Sequence, residues 1–235
     1  MNHVDPRIVN SYSVPIISFD IDWANDDVLC DTIEIIEDAE IKATWFVTHE
    51  TKHLSNILKN KNYEVGVHPN FNTLLDGSKQ HGNNKEEVID SLIDIVPNAK
   101  LVRSHSVVQS SRLSNLFLDK GFTHESNDYI PYYSDIDLKP WSLDNGLIKV
   151  PYFWSDELEC APNSKKQKMS DLVLLPGLKV FDFHPIHIFL NTESLDRYEK
   201  TRHLHNKPSE LIKYRYDGYG TRNRLLELIN LVKKQ

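Results

Sequence analysis

The sequence predicts a single-domain α/β fold built on a mostly parallel sheet, and three observations carry that prediction. Strand-type apolar runs alternate with helix-type segments through the first half of the chain, the rhythm of strands joined by helical crossovers. The length of 235 residues suits one substantial core, and α/β barrels of this size are commonly one domain. Several strand-type runs also end in ionisable residues, where parallel α/β folds gather their chemistry.

Taken in order, Val14–Ile21 reads as a strand and Asp26–Glu40 as a helix with Asn25 or Asp26 at its N-cap. Ala43–Thr48 is a strand, Leu54–Asn60 a short helix and Tyr63–His68 a third strand stopped by Pro69. Lys85–Val96 is a helix and Leu101–His105 a fourth strand. Ser111–Lys120 is a helix ended by Gly121, the usual left-handed residue past a helix end. Beyond it the pattern loosens: Gly146–Phe153 and Leu178–His184 read as strands, with a loop-rich stretch between them. The polar Asn191–Gly220 stretch reads as a long excursion or lid, and Thr221–Lys234 as a closing amphipathic helix with Leu225, Leu228, Ile229 and Val232 on one face. The core spans about 14–190 and no second domain is indicated.

Composition narrows the function. A formal net charge of −7 and a pI of about 5.9 argue against a nucleic-acid footprint. Cys30 and Cys160 stand far apart in no metal-ligand spacing and read as reduced thiols. Met1–Ser13 lacks the apolar core of a secretory signal, and no apolar run approaches the ~20 residues of a membrane span. A cytoplasmic protein is expected.

The strand ends carry the chemistry. In Ile16-Ile17-Ser18-Phe19-Asp20-Ile21-Asp22, residues i and i+2 of a strand share a face, so Asp20 and Asp22 are expected to aim at one site. Like charges that close repel unless a cation sits between them or they divide labour. Alone, such a pair is more simply a solvated strand end or a helix cap. Three further strand ends, with His68, with Arg103 and His105, and with Asp182 and His184, make that account harder to hold. Hydrolysis needs a Lewis acid, a base and an acid converging on one carbonyl, and Asp22 and His68 suit zinc or a similar divalent ion.

Ser18–Asp22, Ala43-Thr44-Trp45-Phe46-Val47 and Glu64-Val65-Gly66-Val67-His68 together resemble the polysaccharide deacetylase family, also called the NodB-homology group or carbohydrate esterase family 4. Arg103-Ser104-His105-Ser106, Val150-Pro151-Tyr152-Phe153-Trp154 and Phe183-His184-Pro185 fall where the later motifs belong. The likeness covers roughly 16–190 and is closest to a divergent branch found with surface-polysaccharide and O-antigen synthesis. It implies a distorted (β/α) barrel with fewer than eight regular strands. It further implies Asp20 as catalytic base, Asp22 and His68 as metal ligands, Arg103 as the cation orienting the base, and His184 as catalytic acid. Trp154, and with it Asp156, matches the groove-lining motif.

Two departures matter. The family's second metal histidine falls at Asn72, a weaker zinc ligand, so either the third ligand is Asn72, His81 or His105, or the site is weak. His105 also stands where the family has proline, and can ligate or contact substrate. The strand-face argument selects His184 beside Asp182, not His187. Tyr152 and Trp154 alternate on one strand face, as an aromatic wall of the groove or as barrel filling. His203 and His205 read as solvated loop residues, Trp45 and Phe46 as core, and Tyr214, Tyr216 and Tyr219 as sugar-stacking groups or a packed rim. The expected activity is metal-dependent removal of an N-acyl group, an acetyl group, from an N-acylated sugar. Asp182 would support His184, and a backbone N–H would help hold the oxyanion. The lack of a signal favours a nucleotide-linked or lipid-linked sugar over mature peptidoglycan or chitin. Hydrolysis of a cyclic imide or ureide, or sugar binding without catalysis, are the alternatives.

Overall fold

The computed structural model describes residues 14–234; Met1–Ser13, read above for its lack of a signal, and Gln235 lie outside the described residues. The chain runs β1 (Ile16–Asp20), α1 (Asp26–Ala39), β2 (Ala43–Val47), α2 (Leu54–Lys59), β3 (Tyr63–Val67), α3 (Asn72–Leu75) and α4 (Lys85–Ile95). It continues through β4 (Leu101–Val102), α5 (Ser111–Asp119), β5 (His124–Glu125), β6 (Trp141–Ser142), β7 (Ile148–Lys149) and β8 (Trp154–Ser155). The last part holds α6 (Asp156–Glu159), α7 (Met169–Leu172), β9 (Val180–Phe183), α8 (Pro185–Leu190), α9 (Leu195–Thr201), α10 (Pro208–Leu211) and α11 (Thr221–Val232).

The nine strands among the described residues join one sheet, in the order β6-β7-β5-β4-β3-β2-β1-β9-β8. Every pair is parallel except β6 with β7. The sheet curls into a half-barrel, as the sequence led us to expect. The stretch 150–153 stitches part of the gap: Tyr152 N–H donates to Asp128 O at 3.0 Å, Ile130 N–H to Tyr152 O at 2.9 Å, and Phe153 N–H to Val180 O at 3.3 Å.

Local chemistry accounts for the helices that flank the sheet. Asn25 caps α1 by accepting from Asp27 N–H, with Asp26 and Asp27 in the positive first turn. Val28, Leu29, Ile33 and Ile36 then recur at helical spacing and are buried. Ser110 caps α5, and Gly121, at φ 87°, takes the left-handed position after it. On the outer face of the sheet Phe19 stacks on Trp45 at 4.4 Å and tilts against Phe183 at 6.1 Å.

The inner face is layered. Along β1, Ile16, Ser18 and Asp20 alternate inward, and along β9 Val180 and Asp182 do the same, in register with it. Gly66 has no substitute on β3: a Cβ there would lie 2.8 Å from Leu101 O and 2.9 Å from the Phe46 ring. Its bareness lets Phe46 reach the barrel interior.

Three expectations need correction. The fourth strand stops at Val102, and His105 opens a 3-10 turn. In the region read as strand Gly146–Phe153, only Ile148–Lys149 forms ladder, because the chain then leaves to make the seam described above. Asn191–Gly220 is helical rather than loop-like, holding α9, α10 and two 3-10 turns. Short helices with a single buried stripe leave too weak a period to be read. Among the described residues no helix is long and apolar enough to cross a membrane.

Candidate active site

Asp20 is the last residue of β1 and Arg103 the first after β4, where its N–H still donates to Val67 O at 3.0 Å. Both are buried, and the guanidinium organises the barrel interior. Nη1 donates to Asp20 Oδ1 at 3.1 Å and also to Asp182 Oδ1. Nη2 donates to Ser18 Oγ and Ser126 Oγ, each at 3.1 Å, and Nε to Ser126 O at 3.2 Å. Phe46 and Tyr152 cover its two faces, 4.3 and 4.8 Å from ring centre to Cζ. Burial works against the charge, but Asp182 and Asp20 outweigh it and raise the Arg103 pKa. Burial, with Asp20 pushing the same way against Arg103, holds the Asp182 carboxyl well above the ordinary range. Asp182 therefore partners Arg103 directly, while its charge also bears on His184 nearby.

Asp22 lies beyond the strand. It reaches the site through a left-handed turn, with φ 39° at Asp22 and 53° at Trp23, and not by strand alternation. Ser106 and Val107, at φ 53° and 51°, make a matching turn after His105. Non-glycine residues in this region cost about 1–3 kcal/mol each and concentrate where function fixes the chain. The two turns bring three donor atoms together. Asp22 Oδ1 is 3.2 Å from His68 Nε2 and 3.3 Å from His105 Nδ1, and the two nitrogens are 3.3 Å apart. A tetrahedral ion with bonds of about 2.0–2.1 Å needs ligand atoms about 3.3–3.4 Å apart, so the triangle has the size for zinc. Asp22 Oδ1, buried, makes no hydrogen bond that would compete for it. His68 Nδ1 faces Asp20 Oδ2 at 3.6 Å, which leaves Nε2 for the triangle. Burial pushes the Asp22 carboxyl up, yet His105 and His68 outweigh it and hold it well below the usual carboxylate range. The two imidazoles gather around an ionised acid.

His184 ends the β9 row from the opposite side. Asp156, fully buried at the start of α6, accepts from His184 N–H at 2.8 Å and pairs with Nδ1 at 2.7 Å. Nε2 is thereby directed at the site, 3.6 Å from Asp22 Oδ2. Burial opposes the imidazolium, but Asp156 first, then Asp22 and Asp182, hold the His184 pKa well above its ordinary value. His187, one turn along α8, behaves oppositely, and burial lowers it to about 4.

These groups line one cavity of about 750 Å³ at the carboxyl ends of the strands. Asp20, Asp22, His68, Arg103, His105, Tyr152, Asp182 and His184, all named from the sequence, border it. Trp154 does not. Its indole packs against Phe181 and Phe183 at 5.8 and 4.8 Å in the core, because the chain turns between Tyr152 and β8 and no continuous strand puts both rings on one face. Asn72 begins α3 and is not among the lining residues, since Pro69 and the turn after it carry the chain away. His81 leans on the Trp23 ring at 5.3 Å and stays outside the donor triangle. The sequence reading missed Trp23, His187 and the α9 wall. Tyr198 of that wall packs between His187 and His205, 5.0 and 4.8 Å away. His205 is thus half-buried beside the cavity rather than a solvated loop residue. The Asp156 pairing was hinted at only by its place beside Trp154.

The chain is similar to known proteins over nearly its whole length. The model of the WbmS-like polysaccharide deacetylase family matches residues 17–202. The crystal structure of WbmS from Bordetella bronchiseptica, described as a candidate polysaccharide deacetylase involved in O-antigen biosynthesis, superposes with a TM-score of 0.87 at 39% identity, covering 97% of this chain and 95% of that one. A candidate polysaccharide deacetylase from Mycobacterium smegmatis is similar at 15% identity and a TM-score of 0.48, over 94% of this chain and 90% of that one. That likeness bears no weight. No curated protein matches the chain.

Proposed function

The chain belongs to the polysaccharide deacetylase family, in its WbmS-like branch, and from that premise we propose that it hydrolyses the N-acetyl group of an amino sugar in a surface-polysaccharide precursor. The observation that carries the reading is the 3.2–3.3 Å triangle of Asp22, His68 and His105 standing between two buried ion pairs, Asp20 with Arg103 and His184 with Asp156. Asp22, His68 and His105 would hold a divalent ion such as zinc, which when bound polarises an amide carbonyl and acidifies water.

The chain's own groups divide the proton work. Asp20, oriented through Oδ1 by Arg103, takes the proton from the attacking water. His184 enters protonated, with Nδ1–H committed to Asp156, and gives its Nε2 proton to the departing sugar amine. A general acid must hold its proton until the amine departs. The pull of Asp156 keeps His184 charged, as a general acid requires. Tyr152, over Arg103, closes one side and excludes water from the ion pair.

A third donor at His105 favours catalysis over sugar binding alone. The relative's link to O-antigen biosynthesis favours a nucleotide-linked or lipid-linked sugar handled in the cytoplasm by the whole chain as one catalytic domain. Zinc content and acetate release test this together. We expect about one divalent ion per chain, lost in Asp22→Ala and His68→Ala, and acetate released from N-acetylated sugars or their nucleotide-linked forms. Zinc-loaded protein that releases no acetate from any of them overturns the reading.

A further inference from the structure

Arg103 and His105 serve different parts of the site, yet one residue separates them. The peptide of that residue, fully buried Ser104, is gripped by Asn127. Ser104 N–H donates to Asn127 Oδ1 at 2.6 Å, and Asn127 Nδ2 donates to Ser104 Oγ at 3.2 Å and to Glu125 Oε1 at 2.7 Å. Behind it stands a buried charge network. Lys149 Nζ reaches Glu125 at 3.0 Å, Asp128 at 2.9 Å and Gln109 Oε1 at 3.0 Å, and Ser114 Oγ donates to Glu125 at 3.1 Å. The neighbouring Ser126 supplies two of the acceptors that hold the Arg103 guanidinium. The four residues 125–128 therefore form a template against which the end of β4 is set.

We propose that Asn127 is a positioning residue that locks the Ser104 peptide, so that the imidazole of His105 is delivered into the donor triangle while Arg103 reaches Asp20. The chemistry requires an amide. The side chain must accept from a backbone N–H on one edge and donate to a carboxylate on the other, and an acid here would face the buried Glu125 as a like charge. The lock is needed because the chain past His105 is strained: Ser106 and Val107 both hold positive φ, and His105 is otherwise tethered by its N–H to Pro69 O at 2.9 Å. With Ser104 released, the turn can relax and withdraw His105.

The inference rests on His105 being a ligand, and the experiment separates the two claims. Zinc affinity is measured by chelator competition, and the visible spectrum recorded on the cobalt(II)-loaded protein, for Asn127→Ala, Ser104→Pro, His105→Ala and Gln109→Ala. Ser104 already has the φ a proline needs, −76°, so Ser104→Pro breaks both Ser104–Asn127 hydrogen bonds, its ring standing where the N–H met Asn127 Oδ1, and gives a second unlocked variant should Asn127→Ala fail to fold. Asn127→Ala and Ser104→Pro are expected to lose about 10–100-fold in zinc affinity, as outer-shell substitutions do, with an altered cobalt spectrum. Gln109→Ala, which touches Lys149 and Asn127 O but not Ser104, stays within about threefold of the parent. Parent-like zinc affinity and cobalt spectrum in folded Asn127→Ala, alongside a loss in His105→Ala, overturn the positioning role alone. Parent-like affinity in His105→Ala overturns the ligand assignment beneath it.

Discussion

The barrel interior is two rooms with one partition. Above Arg103, at the carboxyl ends of the strands, the 750 Å³ cavity is bordered by Asp20, Asp22, His68 and His184. Below it, a well of about 330 Å³ is bordered by Ile16, Phe46, Leu101, Leu178 and Val180, and opens past the exposed Trp141. The same strands build both. Stepping up the inner face by twos converts Ile16 to Ser18 to Asp20, Glu64 to Gly66 to His68, and Val180 to Asp182 to His184. The candidate site occupies the ends of β1, β3 and β9 and the turns beyond, where the ladder no longer dictates the backbone. The lower room lacks such turns and carries packing instead.

Four predictions press on that division, in falling order of effect. Asp20→Asn in the upper room should lower kcat by about 10²–10⁴ while the protein stays folded; a thermal melt and acetate-release kinetics on one preparation decide it. Arg103→Met attacks the partition itself. It strands two buried carboxylates, so a loss of about 3–5 kcal/mol in denaturant unfolding is expected, together with loss of activity. An unchanged midpoint would mean that the guanidinium is not the joint between the rooms.

The third is a pH effect. His187 is held neutral down to about pH 4 by burial, whereas in the unfolded chain it titrates near 6.5. Between those values the unfolded state binds more protons, so this contribution is complete above about pH 6.5 and is lost as pH falls through about 4, amounting to about 3 kcal/mol. His184, with its raised pKa, works the other way: its contribution is present at low pH and is lost as pH rises through the folded value. His187→Leu should flatten the acid limb of stability against pH, and an unaltered limb would remove His187 from the account. The smallest effect belongs to the lower room. Ile16 is 37% exposed, so Ile16→Ala should cost less than about 1 kcal/mol in urea titrations and leave kcat alone.

Much of the fold, and part of the candidate site, could be read from the sequence, and the boundary has physical causes. The first three strands and α1, α4 and α5 announce themselves because they are long enough for a period, and the three helices carry caps at Asn25, Asn84 and Ser110. β5 to β8 have two residues each, too few for alternation to register. The cavity-lining acids and histidines at strand ends were visible because strand geometry is local. The partnerships were not: Asp156 meets His184 across 28 positions and Asn127 meets Ser104 across 23, and neither spacing belongs to any helix or strand. His105 was one of three candidates for the third donor, and its place in the triangle follows from the turn at Ser106 and Val107 and the hold on Ser104, neither of which shows in the sequence.

Trp23 sits where the chain could make its own state visible. Its indole meets the His105 ring edge-on at 5.1 Å and the His81 ring at 5.3 Å, while Trp45 and Trp154 are sealed in the core and Trp141 stands at the far end of the barrel. Indole emission is quenched by a neighbouring imidazole to a degree set by that ring's charge. One of the four tryptophans is therefore wired to the third vertex of the donor triangle, and the other three serve as a constant background. An ion held as proposed at the triangle would register as a change in intrinsic fluorescence, an optical gauge of occupancy that needs no added dye.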